Sequence, residues 1–388
     1  MRFVGRRLGP QLTHAARHFP AVVLSGPRRS GKTTLLRRHF AAADYRLLED
    51  PAVLAAVRAD PRSFLDSLRL PAVLDEIQNA PELLRYIRAR IDAAPRRTGQ
   101  WLLTGSHDFS LMREVTESMA GRAAILQLLP LSTSETSKVT LLRGGYPEVI
   151  ARPRAAALWF ASYVQTYIER DVRQVSQIRD LATFRRFIAL VASRCGQLLN
   201  KTDLAAPLGM SIPAISEWLS ILETTGQILL VPPYFENLGK RLIKSPKVYF
   251  TDSGLACHLL GIETEAQLVR STFHGPLFEG FVAAEIAKQQ ANAGRRREFY
   301  HFRDQRGLEV DFLVPGGADA ITLVEVKASR TVFPTAARSL DAVGRAMSQA
   351  RVRKIVAYKG RDVAESGTTL APGVEALGVH SLLEAIAR

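Results

Sequence analysis

GPRRSGKTT, residues Gly26 to Thr34, fits the pattern G-x-x-x-x-G-K-[ST] at every fixed place: Gly26, Gly31, Lys32 and Thr33. Four apolar residues, Ala21 to Leu24, lead into it as a buried strand, and the run Thr33 to Phe40 leaves it as a helix. Strand, glycine-rich loop and helix in that order are the context the pattern needs. The glycines let the backbone curl so that successive N–H groups face an anion. The helix adds its positive N-terminal end. Gly26, Pro27, Arg28, Arg29, Ser30, Gly31, Lys32, Thr33 and Thr34 are therefore the expected cradle for ATP. Lys32 would reach the β- and γ-phosphates, and Thr33 would hold Mg²⁺.

Downstream, Tyr45 to Leu48 reads as a strand, and Pro51 to Leu68 as helix interrupted at Asp60-Pro61, because the residue before a proline avoids the helical region. Pro71 to Glu76 is a short apolar strand ending in two acids. Asp75 would hold Mg²⁺ through water, and Glu76 would orient and deprotonate the attacking water. Trp101 to Leu103 is a further buried strand ending at Thr104-Gly105-Ser106. Ser106 either senses the γ-phosphate or caps the next helix. Gly121-Arg122 precedes another apolar strand, Ala123 to Leu129. Ring-forming ATPases of the AAA+ class place an arginine finger just there, which makes Arg122 either a finger reaching a neighbouring subunit or a solvated surface residue. A finger implies a homo-oligomer. The strand–helix alternation predicts a parallel sheet covered by helices, with ligand at the carboxyl ends of the strands.

These residues carry a resemblance. GPRRSGKTT, LEDP (Leu48 to Pro51), VLDEIQNAPEL (Val73 to Leu83), LLTGSHDFSLM (Leu102 to Met112) and SMAGRAAILQLLPLSTSE (Ser118 to Glu135) resemble a widespread bacterial and archaeal AAA+ ATPase family. Its members carry a C-terminal domain of unknown function. The likeness continues through GGYPE (Gly144 to Glu148), YIERDV (Tyr167 to Val172) and KRLIKSPKVYFTDSGLACHLLG (Lys240 to Gly261), over nearly the whole chain. It implies ATP and Mg²⁺ as cofactors. The stretch from Glu135 to Gly144 is shorter than the helical connection usual in the family, so the resemblance implies a truncated or absent lid.

The middle reads as helical from Ala155 to Val175, with Trp159, Tyr163, Val164 and Tyr167 in a stripe suited to a core, and again from Phe184 to Val191. A winged helix follows in pattern: a short helix Thr202 to Leu208, a turn at Gly209, a longer helix Ile212 to Thr225 capped by Ser211, and strands Gln227 to Val231 and Lys247 to Phe250. Lys240, Arg241, Lys244 and Lys247 would form a basic wing against phosphate. The second helix carries Glu217 and Glu223 and neither Lys nor Arg, so protein contact stands beside DNA contact.

In the C-terminal part, Leu277 to Gln290 reads as a helix that carries Glu279 on an apolar face. Strands Glu298 to Arg303 and Leu308 to Val314 flank a turn at Gln305-Arg306-Gly307, and Ile321 to Val326 is a third strand. Period-two geometry puts Glu325 and Lys327 on one face, and Glu309 with Asp311 on one face of its neighbour. Asp311 and Glu325 would hold Mg²⁺, and Lys327 would orient or help deprotonate a water. Glu279, Asp311, Glu325 and Lys327 in this order resemble the PD-(D/E)XK nuclease superfamily. A salt-bridged strand pair in a scaffold is the other reading. His301, Arg303 and Arg306 are candidates for a phosphate backbone or for a solvated hairpin. Ala336 to Ala350 reads as a helix, Lys354 to Tyr358 as a strand and Ser381 to Arg388 as a terminal helix.

Composition bounds the rest. The 388 residues carry a formal net charge of +15, which favours a polyanionic partner. The expected partner is nucleic acid, DNA in preference to RNA. Two cysteines give no disulfide framework, and no apolar run approaches the ~20 residues that span a bilayer. The expectation is an α/β protein of cytoplasmic location with no membrane partner, in three parts: a P-loop AAA+ type parallel sheet over 1–140, a helical and winged-helix domain over 141–265, and a PD-(D/E)XK nuclease-like α/β domain over 266–388. ATP hydrolysis would control a Mg²⁺-dependent nuclease; the alternative is an ATP-switched DNA- or protein-binding regulator whose nuclease fold does not cut.

Overall fold

The strand that leads into the phosphate loop, Ala21–Ser25 (β1), is buried at every residue. Beside it lie Asp44–Leu47 (β2), Ala72–Asp75 (β3), Trp101–Thr104 (β4) and Ala123–Gln127 (β5), all parallel, in the order β2-β3-β4-β1-β5. The computed structural model describes residues 3–105, 118–168, 181–234, 244–317, 319–347, 351–360 and 368–387. Alternate strand residues feed two apolar cores. Ala21, Val23, Leu74 and Leu103 pack on one face, and Val22, Leu24, Val73 and Leu102 on the other. That period of two is why these strands read as continuous apolar runs: helices cover both faces. The carboxyl ends of β1, β3 and β4 therefore lie side by side at one edge, under the phosphate loop.

The predicted break at Asp60-Pro61 is present. Helices Pro51–Ala59 and Pro61–Asp66 each begin with proline after an aspartate whose carboxylate caps the first turn. The helix predicted to run to Val175 is α-helical over Ala156–Tyr163 and widens to a π turn over Val164–Ile168; residues 169–180 lie outside the described set. Trp159 and Tyr163 stack with ring centroids 4.9 Å apart, Tyr146 packs against both, and with Val164 they belong to the core; the side chain of Tyr167 lies outside the described set. Farther on, Leu181–Ser193, Lys201–Ala205 and Ile212–Thr224 are helices, with Ser211 capping the last by accepting from the Ala214 amide. Ile228–Val231 (β6) and Lys247–Phe250 (β7) pair antiparallel. Lys240 and Arg241, the expected tip of the wing, lie outside the described residues.

The C-terminal part holds one long helix, His274–Asn292, against a six-stranded sheet. Its strands are Tyr300–Arg303 (β8), Glu309–Pro315 (β9), Ala320–Lys327 (β10), Arg351–Tyr358 (β11), Thr368–Ala371 (β12) and Val374–Gly378 (β13), in the order β12-β13-β11-β10-β9-β8. A single apolar cluster runs from Leu129 through the middle helices and β6–β7 to Leu383, so middle and C-terminal parts share a core. Among the described residues no single helix is long and apolar enough to cross a membrane.

Two loops interlock where this core meets the ATPase sheet. The Gly145 amide donates to buried Asp252 at 2.6 Å, and Asp252 also accepts from Leu255 at 3.0 Å as the cap of helix Ser253–Leu259. A Cβ on Gly145 would overlap the Leu131 carbonyl, and one on Gly144 the Asp252 carboxylate. Backbone, not a flexible side chain, blocks the first position. Gly145→Ala should therefore lose about 1–3 kcal/mol of stability or more, read from urea unfolding. Gly5→Ala, whose Cβ would meet nothing within 4 Å, should stay within about 0.5 kcal/mol of the parent. Equal midpoints for the two variants would contradict the interlock.

Candidate functional site

The fixed glycines of the phosphate loop stand where other residues are strained. Gly26 has φ 146° and Gly31 has φ 100°. A Cβ on Gly26 would overlap the Leu128 carbonyl. Helix Lys32–His39 starts directly after Gly31, so its free N–H groups and dipole face the loop. Buried Lys32 bends back and donates to the carbonyls of Gly26 (3.0 Å) and Pro27 (3.1 Å). The Ser30 hydroxyl is buried with no partner among the described residues, which a phosphate oxygen would supply. The loop opens on a cleft of about 700 Å³, lined by Arg28, Arg29, Thr34 and the residues below.

Asp75 ends β3 in the floor of this cleft, 1% exposed. Three hydroxyls answer its carboxylate: Thr33 Oγ1 at 2.8 Å, Tyr45 Oη at 2.6 Å, and Thr104 Oγ1. Burial and this bond to Asp75 together push the Tyr45 phenol well above its ordinary value, so it stays a donor. Thr33 and Asp75 thus set two hard oxygens beside the loop, a donor set that fits Mg²⁺ alongside nucleotide phosphates. Glu76 follows in the left-handed region, φ 61° and ψ 53°, strain that a non-glycine residue tolerates when its surroundings fix it. The Thr104 hydroxyl does so by accepting from the Glu76 amide at 3.0 Å, and the Gln78 amide donates to the Glu76 carboxylate at 2.5 Å. Thr104, two residues before the expected Ser106, is thus a polar side chain that touches both Asp75 and Glu76. Ser106 lies outside the described residues.

Arg122 sits at the opposite edge of the sheet, before the first residue of β5 and level with the start of β1. It forks onto Asp92 at 2.5 and 3.1 Å. The structure thus gives Arg122 a surface ion pair, at the amino ends of the strands and away from the phosphate loop at their carboxyl ends.

Sequence reasoning missed three further residues of the cleft. Arg6 donates to the Ser30 carbonyl (2.7 Å), the Leu129 carbonyl (2.6 Å) and Glu135 (3.0 Å), tying the loop to the segment after β5. Tyr45 holds Asp75. Glu148, of the GGYPE stretch, lies 3.7 Å from Arg29. Only the GGYPE resemblance pointed at Glu148; nothing local marks a lone arginine near the N-terminus.

The C-terminal acids do converge, around a cation that the sequence placed elsewhere. Lys247 was expected on a basic wing. Instead its side chain is 2% exposed, and its ammonium reaches Glu309 at 2.6 Å, Glu279 at 2.9 Å and Asp311 at 3.4 Å. Tyr249, two residues along β7 and so on the same face, donates to Glu279 at 2.5 Å. The other Asp311 oxygen accepts from the Val326 amide at 2.8 Å, and Glu325 accepts from Lys327 at 2.7 Å. The oxygens are of a kind that suits Mg²⁺, but Lys247 already answers them, and among the described residues no group of three such side chains is arranged to hold a metal ion. The acids as they stand do not fit the expected metal. Burial pulls the Lys327 ammonium down, and Glu325, with the charges of Asp311 and Glu279, more than restores it, so the net shift is upward and favours the charged form. His301 is fully buried, held neutral by burial at about 4, with Nε2 3.1 Å from the Ser245 carbonyl, which removes it from any phosphate contact. Arg303 pairs with Glu309 at 3.2 Å.

Burial first, then the charge of Asp311, pushes both Glu279 and Glu325 up to about 7. The folded chain thus holds protons that the unfolded chain releases near the ordinary 4.5. The stability these groups add is full below the unfolded value and is lost as pH rises through the folded one. Wild type should accordingly lose stability between about pH 5 and about pH 7 more steeply than Glu325→Gln in urea unfolding. Parallel profiles would contradict this.

Comparison with known proteins agrees with the geometry of the first site. Residues 18–137 match an AAA domain. Residues 134–266 and 274–378 match two domains of unknown function, DUF8612 and DUF4143. Uncharacterized proteins of Mycobacterium tuberculosis and Mycobacterium bovis are each 32% identical over 342 residues, covering 86% of this chain and 76% of theirs. Among solved structures, a Walker-type ATPase of Pyrococcus abyssi is 16% identical with a TM-score of 0.45, covering 66% of this chain and 96% of its own. The RuvB Holliday junction branch migration motor of Thermotoga maritima is 17% identical with a TM-score of 0.33, covering 59% and 91%. The chain belongs to the family of these two mycobacterial proteins, with an AAA-type P-loop ATPase domain followed by a C-terminal DUF4143 domain.

Proposed function

We propose that this chain binds and hydrolyses ATP with Mg²⁺, and that nucleotide state governs a C-terminal module which engages nucleic acid without cutting it. The observation that carries the first part is the Asp75 carboxylate, buried beside the loop and met among the described residues by three neutral hydroxyls. Mg²⁺·ATP, when bound, supplies the electrophilic γ-phosphorus and the divalent charge. Lys32 exchanges the Gly26 and Pro27 carbonyls for β- and γ-phosphate oxygens. Thr33 and Asp75 face the ion. Glu76 orients the attacking water and takes its proton as the bond from the γ-phosphorus to the bridging oxygen breaks. Arg122, given a second copy of the chain, neutralises charge on the neighbour's transferring phosphoryl group.

Polar contacts give the nucleotide a route to the C-terminal part. Arg6 joins the loop to Glu135, and Glu135 accepts from the Ser132 amide at 2.9 Å. Next along, the Thr133 amide and hydroxyl donate to buried Glu285 at 2.7 and 2.6 Å, on the helix that carries Glu279. The net charge of +15 supports a polyanionic partner. The nuclease reading retains one supporting observation: Asp311 lies close enough to Glu325 for its charge to raise the Glu325 carboxyl. Lys247 seated among those acids favours the module that does not cut.

Lys32→Ala should lose ATP binding in calorimetry, while Glu76→Gln should bind ATP and lose about 10²–10⁴-fold in kcat. Unchanged binding by Lys32→Ala would overturn the site. Mixing Arg122→Ala with Glu76→Gln subunits should restore part of the hydrolysis that each lacks; no recovery would remove the finger. Filter binding of DNA should respond to ATP while plasmid incubated with ATP and Mg²⁺ stays intact. Nicked plasmid would reinstate the nuclease.

A further inference from the structure

The Lys247 ammonium is the structural counter-ion of the C-terminal acids, contributed by a strand of the middle part. β7 has apolar neighbours on both faces, and all four of its residues are buried. A buried lysine in such a strand is costly unless its charge is met. Here Glu309, Glu279 and Asp311 meet it from β9 and the long helix, at 2.6, 2.9 and 3.4 Å. Glu279 Oε1 and Asp311 Oδ1 are the oxygens toward which a cation shared by those two acids would be drawn. The ammonium supplies three donors and one positive charge at that point. A divalent ion would need oxygens at about 2.0–2.6 Å, inside the space the ammonium fills. Two cations cannot share that volume.

We propose that Lys247 occupies the cation position of the acid cluster, so that the ammonium and a divalent metal ion exclude each other and β7 latches the middle part to the C-terminal sheet. This rests on the reading of that module as one that does not cut. Glu279, Glu309, Asp311 and Glu325 face Lys247, Lys327 and Arg303, four acids against three cations. Without the Lys247 charge that excess of acid doubles, partly buried, and the acids must take up protons or another cation. Lys247→Met, of similar length and no charge, converts a latched cluster into a divalent-ion site. Lys247→Arg keeps the charge and should not.

The test is Mn²⁺ binding to the full chain without nucleotide, followed by titration of the free-ion electron paramagnetic resonance signal. Lys247→Met should gain one Mn²⁺ per chain over wild type, at least about tenfold tighter than any binding to Lys247→Arg, and Asp311→Asn added to Lys247→Met should abolish the gain. Wild type and the single variant Asp311→Asn should bind Mn²⁺ alike, a comparison that stands even if Lys247→Met fails to fold. Loss of a wild-type Mn²⁺ in Asp311→Asn would overturn the exclusion. A folded Lys247→Met that gains no ion would overturn the claim that these acids form a cation position at all. Plasmid cutting by wild type would instead refute the module that does not cut, a separate result.

Discussion

A carboxylate withdrawn from water must meet donors or a counter-ion, and this chain answers that constraint in two ways. Asp75 meets three neutral hydroxyls. Glu279, Glu309 and Asp311 meet an ammonium. Hydroxyl donors leave the negative charge of a carboxylate uncompensated, whereas an ammonium neutralises it, so the first arrangement still favours a metal ion and the second does not. Two acid centres that look alike in sequence are thus chemically opposite: one is met by neutral hydroxyls and the other by a lysine ammonium.

The same constraint connects the two. Glu285 is fully buried, and its side chain is answered by Thr133 and by Lys288 at 3.0 Å, while Lys288 also donates to the Leu131 carbonyl at 3.2 Å. The segment that receives these bonds is the one that Arg6 ties to the phosphate loop. On the loop's other side, the Arg28 carbonyl accepts from Tyr163 at 3.4 Å, and the Gln227 amide donates to Tyr163 at 3.1 Å just before β6. A phosphate that displaces the Gly26 and Pro27 carbonyls from Lys32 acts on a loop held from both the sheet and the middle part. Such contiguous contacts are a route for coupling, and a two-state response of the long helix would make them a switch.

Local pattern carried the parts that depend on local chemistry. The phosphate loop, the two acids ending β3, the proline break at Asp60-Pro61 and the Ser211 cap were legible because backbone geometry restricts which residues serve there. Lys247 was misread because a charge beside Lys240, Arg241 and Lys244 looks like one more surface charge. The contrary signal was its own strand: Lys-Val-Tyr-Phe is otherwise apolar or aromatic on both faces, and such a strand is buried. The contact of Thr104 with Asp75 was not legible, because strand registry, not composition, decides which hydroxyl reaches that carboxylate. Arg6 gave no signal, since its three partners lie 24 to 129 residues away. β12 and β13 escaped because strands of four and five residues lack a periodic run long enough to read. Glu279 stood out as an acid on an apolar helix face, and in the fold it meets Lys247 at 2.9 Å.

The central claim is that the chain has one cation site fit for metal and one filled by its own lysine. Its most direct test is a crystal structure with a non-hydrolysable ATP analogue and Mn²⁺, with anomalous scattering recorded at the manganese edge. The account predicts a manganese peak between Thr33, Asp75 and the nucleotide phosphates, and an ammonium still seated among Glu279, Glu309 and Asp311. A manganese peak among those three acids, or none beside Asp75, would contradict it.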